Sequence, residues 1–278
     1  NIKIIAIDVV GVGCFDERTE IMTEKGFESF EDLNGEKVLT MNPITRKAFY
    51  VKPNQYFKYE YDGIMYKWEG QTSSLCITPN HSLFYRGFHS KKWKFRKVKD
   101  IDIDEIKIPR GFIWEGGKKN YYKIQGFEKK MPNGGIQSYS EFSVEMKLWL
   151  RFVAWILSEG YCYHQPDQGG YYVCITQCCS ENIDIIRKLL LKLSFNFCEK
   201  MSKKGEITFV ITSKQLYLEL SQCGHLAPNK RVPEYIKELS SELIRIFLDE
   251  YLLGDGYIHK GMKCYSTSSL MMANDLQE

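Results

Sequence analysis

Two segments of the sequence, 96 residues apart, share one design. VAWILSEGY at 153–161 and DEYLLGDGY at 249–257 are both apolar runs that end in a carboxylate, a glycine and a tyrosine. Apolar residues recur at steps of three and four in and before each segment, which predicts helices over 143–159 and 240–257. This duplication indicates a pseudo-symmetric domain with two equivalent acidic positions, Glu159 and Asp255.

A carboxylate in the last turn of a helix is unfavourable, because that end of the helix carries a partial negative charge. If the two helices pack side by side, Glu159 and Asp255 also raise each other's pKa. A divalent cation between them relieves both effects, and the small residues Ala154, Ser158 and Gly254 permit close packing. The pattern therefore fits a metal site between paired helices. Two unrelated amphipathic helices with solvated acids remain the alternative.

The rest of the chain changes character near residue 140. Residues 14–111 contain short runs rich in β-branched and aromatic residues between turn signals, which predicts an all-β domain. Residues 116–140 are rich in glycine and lysine, which suggests a linker. After the first helix, the pattern predicts a strand at 170–177, a helix at 182–193, a strand at 207–212 and a helix at 214–223, an α+β arrangement.

Composition adds few restrictions. The net charge is +3, and no apolar stretch approaches the roughly 20 residues of a membrane span. Nine cysteines without a CxxC pair indicate reduced thiols and an intracellular protein. Six of the nine residues at 91–99 are basic, which fits either a solvated edge strand or a phosphate-binding face.

The repeated segments resemble the paired helices of LAGLIDADG (DOD-type) homing endonucleases. The resemblance implies that Glu159 and Asp255 bind Mg²⁺ and cut double-stranded DNA, one strand each. It also implies an αββαββα lobe followed by an incomplete second lobe, together spanning residues 141–278. Glu159 stands where Asp is commoner in the family, and Glu250 stands where a small or apolar residue often packs.

The all-β region resembles the N-terminal half of an intein splicing domain, the Hint fold, over residues 14–115. CFDERTEIMTEKGFESFEDL at 14–33 resembles the first splicing block, and LCITPNHSLF at 75–84 resembles the second. The resemblance implies that Cys14 attacks the preceding carbonyl in an N-to-S acyl shift. It further implies that His81 assists departure of the amide nitrogen while Thr78 and Asn80 hold the strained peptide, with no cofactor.

Together the resemblances suggest an intein with an embedded homing endonuclease, in the cytoplasm of a microbe or encoded by a phage, with no membrane partner. Residues 1–13 are then the end of an N-extein, joined in cis, and the DNA target is the host-gene site that lacks the intein. IAIDVVGVG is similar to a strand of phage terminase large subunits, in which Asp8 would bind a metal. No C-terminal splicing half is recognised, so the chain is expected to be truncated and inactive alone.

Two other readings stay open at this point. The second region could be a degenerate LAGLIDADG module that binds DNA without cutting it. The first region could be a self-cleaving Hint domain that processes its N-terminal neighbour and does not splice.

Overall fold

The chain divides into two compact units, residues 1–115 and 116–277. The structure, a computed structural model, describes residues 2–7, 13–70, 74–102, 105–109, 111–131 and 133–278. Asp8, the metal ligand expected in the leading segment, lies outside these residues. No helix in the described ranges has the length and apolar character needed to cross a bilayer.

The described part of the first unit consists of short strands and one 3₁₀ turn at Val98–Asp100. The strands are β1 (Ile2–Ile7), β2 (Phe15–Asp16), β3 (Glu20–Thr23), β4 (Gly26–Ser29), β5 (Val38–Met41), β6 (Ala48–Val51), β7 (Tyr56–Tyr61), β8 (Tyr66–Glu69), β9 (Ser74–Ile77), β10 (Ser82–Gly87), β11 (Lys94–Lys97) and β12 (Ile106–Lys107). They pair antiparallel in the orders β7-β1-β2-β9-β8, β4-β3-β5-β6 and β11-β10-β12. The strand-rich character predicted for this region is confirmed.

The second unit mixes helices and strands. Its strands are β13 (Tyr121–Ile124), β14 (Phe127–Lys130), β15 (Ile136–Tyr139), β16 (Phe142–Glu145), β17 (Gly160–Gln165), β18 (Gly170–Gln177), β19 (Phe197–Met201), β20 (Ile207–Thr212), β21 (Gly256–His259) and β22 (Met262–Tyr265). Its helices are α1 (Met146–Glu159), α2 (Ser180–Lys192), α3 (Lys214–Leu220), α4 (Glu234–Lys237), α5 (Ser241–Asp255) and α6 (Leu270–Gln277).

From α1 to α3 the elements follow the order αββαββα. The four strands form an antiparallel sheet, β17-β18-β20-β19. The strands predicted at 170–177 and 207–212 have the observed bounds, and the predicted helices lie within three residues of α1, α2, α3 and α5 at each end. The apolar runs were sufficient here because the middle of β18, β20 and α1 is buried on more than one side.

The segment 116–140, which was expected to be a linker, contains the strands β13, β14 and β15. Residues 121–124 pair with β16, while β14 and β15 form a hairpin. Glycine and lysine content suggested a flexible connection, yet Ile124 is fully buried and Tyr122 stacks on Trp149 with a centroid distance of 4.6 Å. A few apolar side chains at alternate positions are enough to hold such strands, and average composition hides them.

The core of the second unit is built around α1, whose residues 152–155 are fully buried. Because this helix is apolar on almost every side, other elements must enclose it. It packs against the sheet, α2 and α5, and the largest buried side chains in the unit include Trp149, Trp155, Phe152 and Tyr251.

Helices α1 and α5 run parallel in close contact. Near their C-terminal ends a Cβ added to Gly254 would lie 2.3 Å from Ser158 Oγ, so only glycine allows this approach. Toward their N-termini, Lys147 and Glu242 form an exposed ion pair of 2.9 Å. Small residues at four-residue steps predicted this packing, and the Gly254 contact confirms it.

Glu250, the residue that departs from the family pattern, lies buried between these helices with 6% of its surface exposed. Its Oε2 accepts a 2.8 Å hydrogen bond from Arg151 Nε, and its Oε1 accepts bonds of 3.2 Å from Arg151 Nη2 and 2.7 Å from Trp155 Nε1. A buried carboxylate is tolerated when it is paired and fully hydrogen-bonded. Glu250 is therefore compatible with the helix packing.

We expect Glu250→Ala to destabilise the second unit by about 3–5 kcal/mol, because it leaves Arg151 and the Trp155 indole without their acceptor. The matched change Glu242→Ala, in an exposed pair between the same two helices, should have a much smaller effect. Urea unfolding followed by far-UV circular dichroism measures both. Equal effects would contradict the importance assigned to the buried pair.

Candidate functional site

The two predicted acidic residues come together at the C-terminal ends of α1 and α5. Burial and the negative charge of Asp255 raise the pKa of Glu159, and burial raises the pKa of Asp255. The side chain of Gln177, at the end of β18, donates a 3.2 Å hydrogen bond to Glu159 Oε1. The structure thus brings together two half-buried carboxylates whose charges interact, as the helix pattern predicted.

Gln177 is itself held in place by the backbone. Its Oε1 accepts hydrogen bonds from the N–H groups of Cys178 and Cys179, at 2.8 and 3.0 Å. Because the amide oxygen is fixed by these two donors, the amide nitrogen must point to Glu159. Gln177 therefore orients the carboxylate in the manner of an outer-shell partner of a metal ligand.

A lysine that sequence reasoning missed completes this arrangement. Lys230 is 9% exposed, and its Nζ donates to the carbonyl oxygens at the end of α1, those of Leu157 and Gly160 at 2.9 Å, Ile156 at 3.2 Å and Ser158 at 3.3 Å. Burial lowers the pKa of Lys230, while Asp255 and Glu159 act against that shift. A single ammonium thus adds hydrogen bonds to the last carbonyls of the helix and interacts electrostatically with both acids.

Other contacts position the second carboxylate. The backbone carbonyl of Asp255 accepts a 2.7 Å bond from the Ser266 N–H, and Tyr251 OH donates to Ser266 O at 3.1 Å. The Tyr251 hydroxyl also lies 3.5 Å from Asp255 Oδ2. These contacts tie the end of α5 to the chain that follows β22.

Two carboxylates are a sufficient protein contribution for Mg²⁺, which usually keeps several waters and takes further oxygen ligands from a substrate phosphate. The described residues contain no group of three or more His, Cys, Asp or Glu arranged to hold a metal ion. The donor set therefore suits a hard cation bound jointly with a phosphate, and does not suit a structural zinc ion.

The second group of predicted residues lies in the first unit around the Gly13–Cys14 peptide bond. The Cys14 N–H donates a 3.0 Å hydrogen bond to Thr78 Oγ1, and the Thr78 N–H donates a 3.0 Å bond to Cys14 O. Thr78 is buried just after β9, so this two-point pairing holds the backbone on both sides of Cys14. Asn80 lies exposed in the turn between Thr78 and His81.

His81 lies directly against Gly13. A Cβ added to Gly13 would be 2.3 Å from His81 Cα and 2.8 Å from its Nδ1, so a glycine is needed here. Burial lowers the pKa of His81, an effect that the Gly13 backbone partly offsets, and Nδ1 is buried without a hydrogen-bond partner among the described residues. The imidazole is thus largely neutral at pH 7 and adjacent to the peptide bond.

The Cys14 thiol packs against Phe57, Tyr61 and Met65. Burial raises its pKa, so little thiolate exists at neutral pH. The thiol of the predicted nucleophile is therefore buried and largely protonated in this conformation.

Comparison with known proteins gives partial matches. No family model matches the sequence. The chain is 25% identical over 277 residues to an ATP-dependent Clp protease proteolytic subunit of Chlamydomonas moewusii, covering 95% of this chain and 27% of that protein. It is 32% identical over 131 residues to a DNA polymerase of Thermococcus aggregans, covering 45% of this chain and 7% of that protein. The chain thus spans about a quarter or less of the length of these relatives.

A structure of I-DmoI in complex with DNA and Mn overlaps 40% of this chain and 63% of its own, with 16% sequence identity and a TM-score of 0.30. Another similar structure is of mesophilic variants of I-DmoI, a homing endonuclease. A TM-score of 0.30 is too low to establish a shared fold.

Sequence reasoning named both acids but neither Lys230 nor Gln177. Gln177 carried a usable signal, since it is the polar residue that ends an apolar strand. Lys230 carried none, because nothing in NKRVP distinguishes one lysine in a chain with 38 basic residues. Its role depends on a contact 70 or more residues away in the chain.

We expect Glu159→Gln and Asp255→Asn each to raise the melting temperature at neutral pH. A carboxyl group whose folded-state pKa is raised costs stability once the pH exceeds its unfolded-state value, and the neutral amide removes that cost. The gain should vanish near pH 3, where both acids are protonated. For a domain of this size 1 kcal/mol corresponds to roughly 2–4 °C.

Millimolar Mg²⁺ should stabilise the wild-type chain and neither variant, since only the native acid pair binds the ion. Differential scanning fluorimetry with and without Mg²⁺ measures this effect. Asp249→Asn, an exposed residue on the same helix, serves as the control and should respond to Mg²⁺ like the wild type.

Proposed function

We propose that residues 14–278 belong to an intein in which a Hint splicing domain, residues 14–115, precedes a LAGLIDADG homing endonuclease domain, residues 141–278. The observation that carries the endonuclease part is the meeting of Glu159 and Asp255 at the ends of two parallel, closely packed helices. The αββαββα order of α1 to α3 supports the same conclusion. The substrate is double-stranded DNA at the uninterrupted host site.

Each residue of the acid pair would contribute an oxygen ligand to Mg²⁺. When bound, the ion supplies charge stabilisation at a phosphate under attack by water. Gln177 fixes the orientation of Glu159, and Lys230 prevents the helix carbonyls from adding to the local negative charge. Lys230 and Gln177 are therefore positioning residues, because they act through the acids and the helix end.

Similarity to two differently named proteins supports an inserted element. A protease subunit and a DNA polymerase share no activity by name. In each of them, the region that matches this chain is a minor part of that protein's length. A segment that can reside in unrelated host proteins explains both matches. The host polypeptide is then the partner in cis.

The splicing part rests on the geometry at Gly13–Cys14. The Cys14 sulfur would attack the Gly13 carbonyl carbon, forming a C–S bond as the C–N bond breaks. The proton lost by the thiol is relayed through the neutral His81 imidazole to the freed Cys14 nitrogen, which becomes an amine. His81 is the group placed to deliver a proton to that nitrogen, and Thr78 holds the same N–H in the starting state.

The two alternative hypotheses, a DNA-binding module and a self-cleaving Hint domain, differ in how far the structural observations support them. A DNA-binding module without cleavage draws support from Glu250 and from the low net charge, and the pairing of Glu250 with Arg151 answers only the first of these. A Hint domain that cleaves without splicing shares the Cys14 chemistry and differs only in its products. The experiments below separate these readings.

For the nuclease, we expect a protein that contains this chain and a complete second lobe to cut DNA. The substrate is a duplex carrying the uninterrupted host sequence, and Mg²⁺ is required. Glu159→Gln and Asp255→Asn should each reduce double-strand cleavage by at least ~100-fold, because a metal ligand is lost. Gln177→Ala should reduce it by about 10–100-fold. Asp249→Asn and Glu242→Gln are the matched charge controls, and gel analysis distinguishes nicked from linear product.

If either acid variant cuts like the wild type, the metal assignment is wrong. Specific binding of the duplex without any cleavage by the wild type would instead favour the module that only binds DNA.

For the splicing domain, dithiothreitol should release residues 1–13, and the released peptide is detected by mass spectrometry. Cys14→Ala should abolish release, and His81→Ala should slow it by about 10²-fold or more. The controls Cys76→Ala and His89→Ala should behave like the wild type. Because the pKa of the Cys14 thiol is raised, the rate should climb by up to about tenfold per pH unit above pH 7.

Release that persists in Cys14→Ala would exclude the acyl shift. The same assay applies to a protein that also carries a C-terminal splicing half. Release of the leading peptide without joining of the flanking segments would favour the domain that cleaves but does not splice.

A further inference from the structure

The first unit contains a cavity lined by cations and aromatic rings. Its volume is about 570 Å³, within the range of natural ligand sites. Its described lining includes no acidic residue. The charged and aromatic lining residues are Arg46, Arg86, Lys107, Trp68, Phe88 and Trp93.

Two guanidinium groups are fixed beside one indole ring. The Cζ atoms of Arg46 and Arg86 each lie 5.3 Å from the centroid of Trp93. Arg46 Nη2 donates to Gly111 O at 2.5 Å, and Arg86 Nη1 donates to Ser90 O at 2.8 Å. Since carbonyl oxygens carry no full charge, these contacts orient the guanidiniums without neutralising them. Arg86 Nε is buried and has no acceptor among the described residues.

Arg46 occupies its place at a conformational cost. Its φ of 58° lies in the left-handed region, which disfavours residues with a Cβ. Glycine or asparagine is usual in such a turn. Strained backbone at a non-glycine residue is a feature of functional sites, and here the strained residue delivers a guanidinium to the cavity.

The positive charge continues from the cavity along β11. Trp93 is flanked by Lys92 and Lys94, and β11 is an exposed edge strand. In the part of the chain that the structure describes, none of the six cations at 91–99 forms an ion pair. Lysines elsewhere in this unit, such as Lys25, Lys58 and Lys67, do so.

Protection of an edge strand explains lysines on β11 itself. It does not explain why Arg46, from the β5–β6 turn, and Lys107, from β12, converge on the same aromatic cavity. We propose that this cavity and β11 form a binding site for single-stranded nucleic acid, separate from the acid pair. The β11 cations contact successive phosphates, and an unpaired base enters the cavity, as in other sites that combine basic grooves with aromatic rings.

The decisive variant is Arg46→Gly, tested in the full chain with fluorescein-labelled oligo(dT) of 20 nucleotides. Glycine removes the backbone strain together with the guanidinium, so the melting temperature should hold or rise while the affinity falls about tenfold. Lys260→Gly is the matched control, because Lys260 also has a positive φ, of 48°, and carries the same charge. It should leave the affinity unchanged.

A second comparison tests β11. The triple variant Lys92→Gln, Lys94→Gln and Arg96→Gln should weaken binding by about 10–100-fold. It should also reduce the dependence of log K on log salt concentration by about two, given ~0.7 per phosphate contact. The triple variant Lys25→Gln, Lys37→Gln and Lys67→Gln has the same net charge and should bind nearly as the wild type does.

Equal losses in the two triple variants, or unchanged affinity in Arg46→Gly, would overturn the proposal. The proposal would also be overturned if a 20-base-pair duplex bound as tightly as the single-stranded oligonucleotide or more tightly, and if these variants weakened both to the same extent. The double variant Glu159→Gln and Asp255→Asn should retain oligonucleotide binding, so this site and the nuclease proposal can fail independently.

Discussion

The arrangement of the second unit depends on the ammonium group of Lys230. Two parallel helices that end at the same place direct their negative dipole ends together, and each also carries an acid in its last turn. Without a compensating positive charge, this concentration of carbonyls and carboxylates would push α1 and α5 apart. Lys230 contacts four carbonyl oxygens of one helix end and lies in the field of both acids. Both acids nevertheless keep raised pKa values, for which burial is the main cause.

Much of the fold and part of the site could be predicted from the sequence, for reasons that differ between elements. Strands β18 and β20 and helices α1 and α5 could be predicted because each contains a long apolar run that enters a dense core. Strands β13 to β15 escaped prediction because they lie in a segment dominated by lysine and glycine. Glu159 and Asp255 could be named since they repeat at the same place in two helices. Lys230 could not, because its function arises only when chain segments distant in sequence meet.

In the first unit, the backbone at Cys14 is held by hydrogen bonds, while burial favours the uncharged forms of Cys14 and His81. Its core is sparse around Cys14, yet the backbone there is held on both sides of the residue. The Cys14 N–H donates to Thr78 Oγ1, the Cys14 carbonyl accepts from the Thr78 N–H, and Gly13 contacts His81. The thiol and the imidazole both have pKa values shifted toward their neutral forms by burial. Burial thus favours the uncharged forms of both side chains at the point where the backbone is held most closely.

The buried pair of Arg151 and Glu250 also bears on partner choice. Arginine is contributed by α1 and glutamate by α5, so two copies of α1 would oppose arginine to arginine, and two copies of α5 would bury two carboxylates. Either symmetric pairing would carry an uncompensated buried charge, at a cost of several kcal/mol. The pair therefore favours association of α1 with α5 within one chain. It disfavours exchange of these helices between copies of the chain.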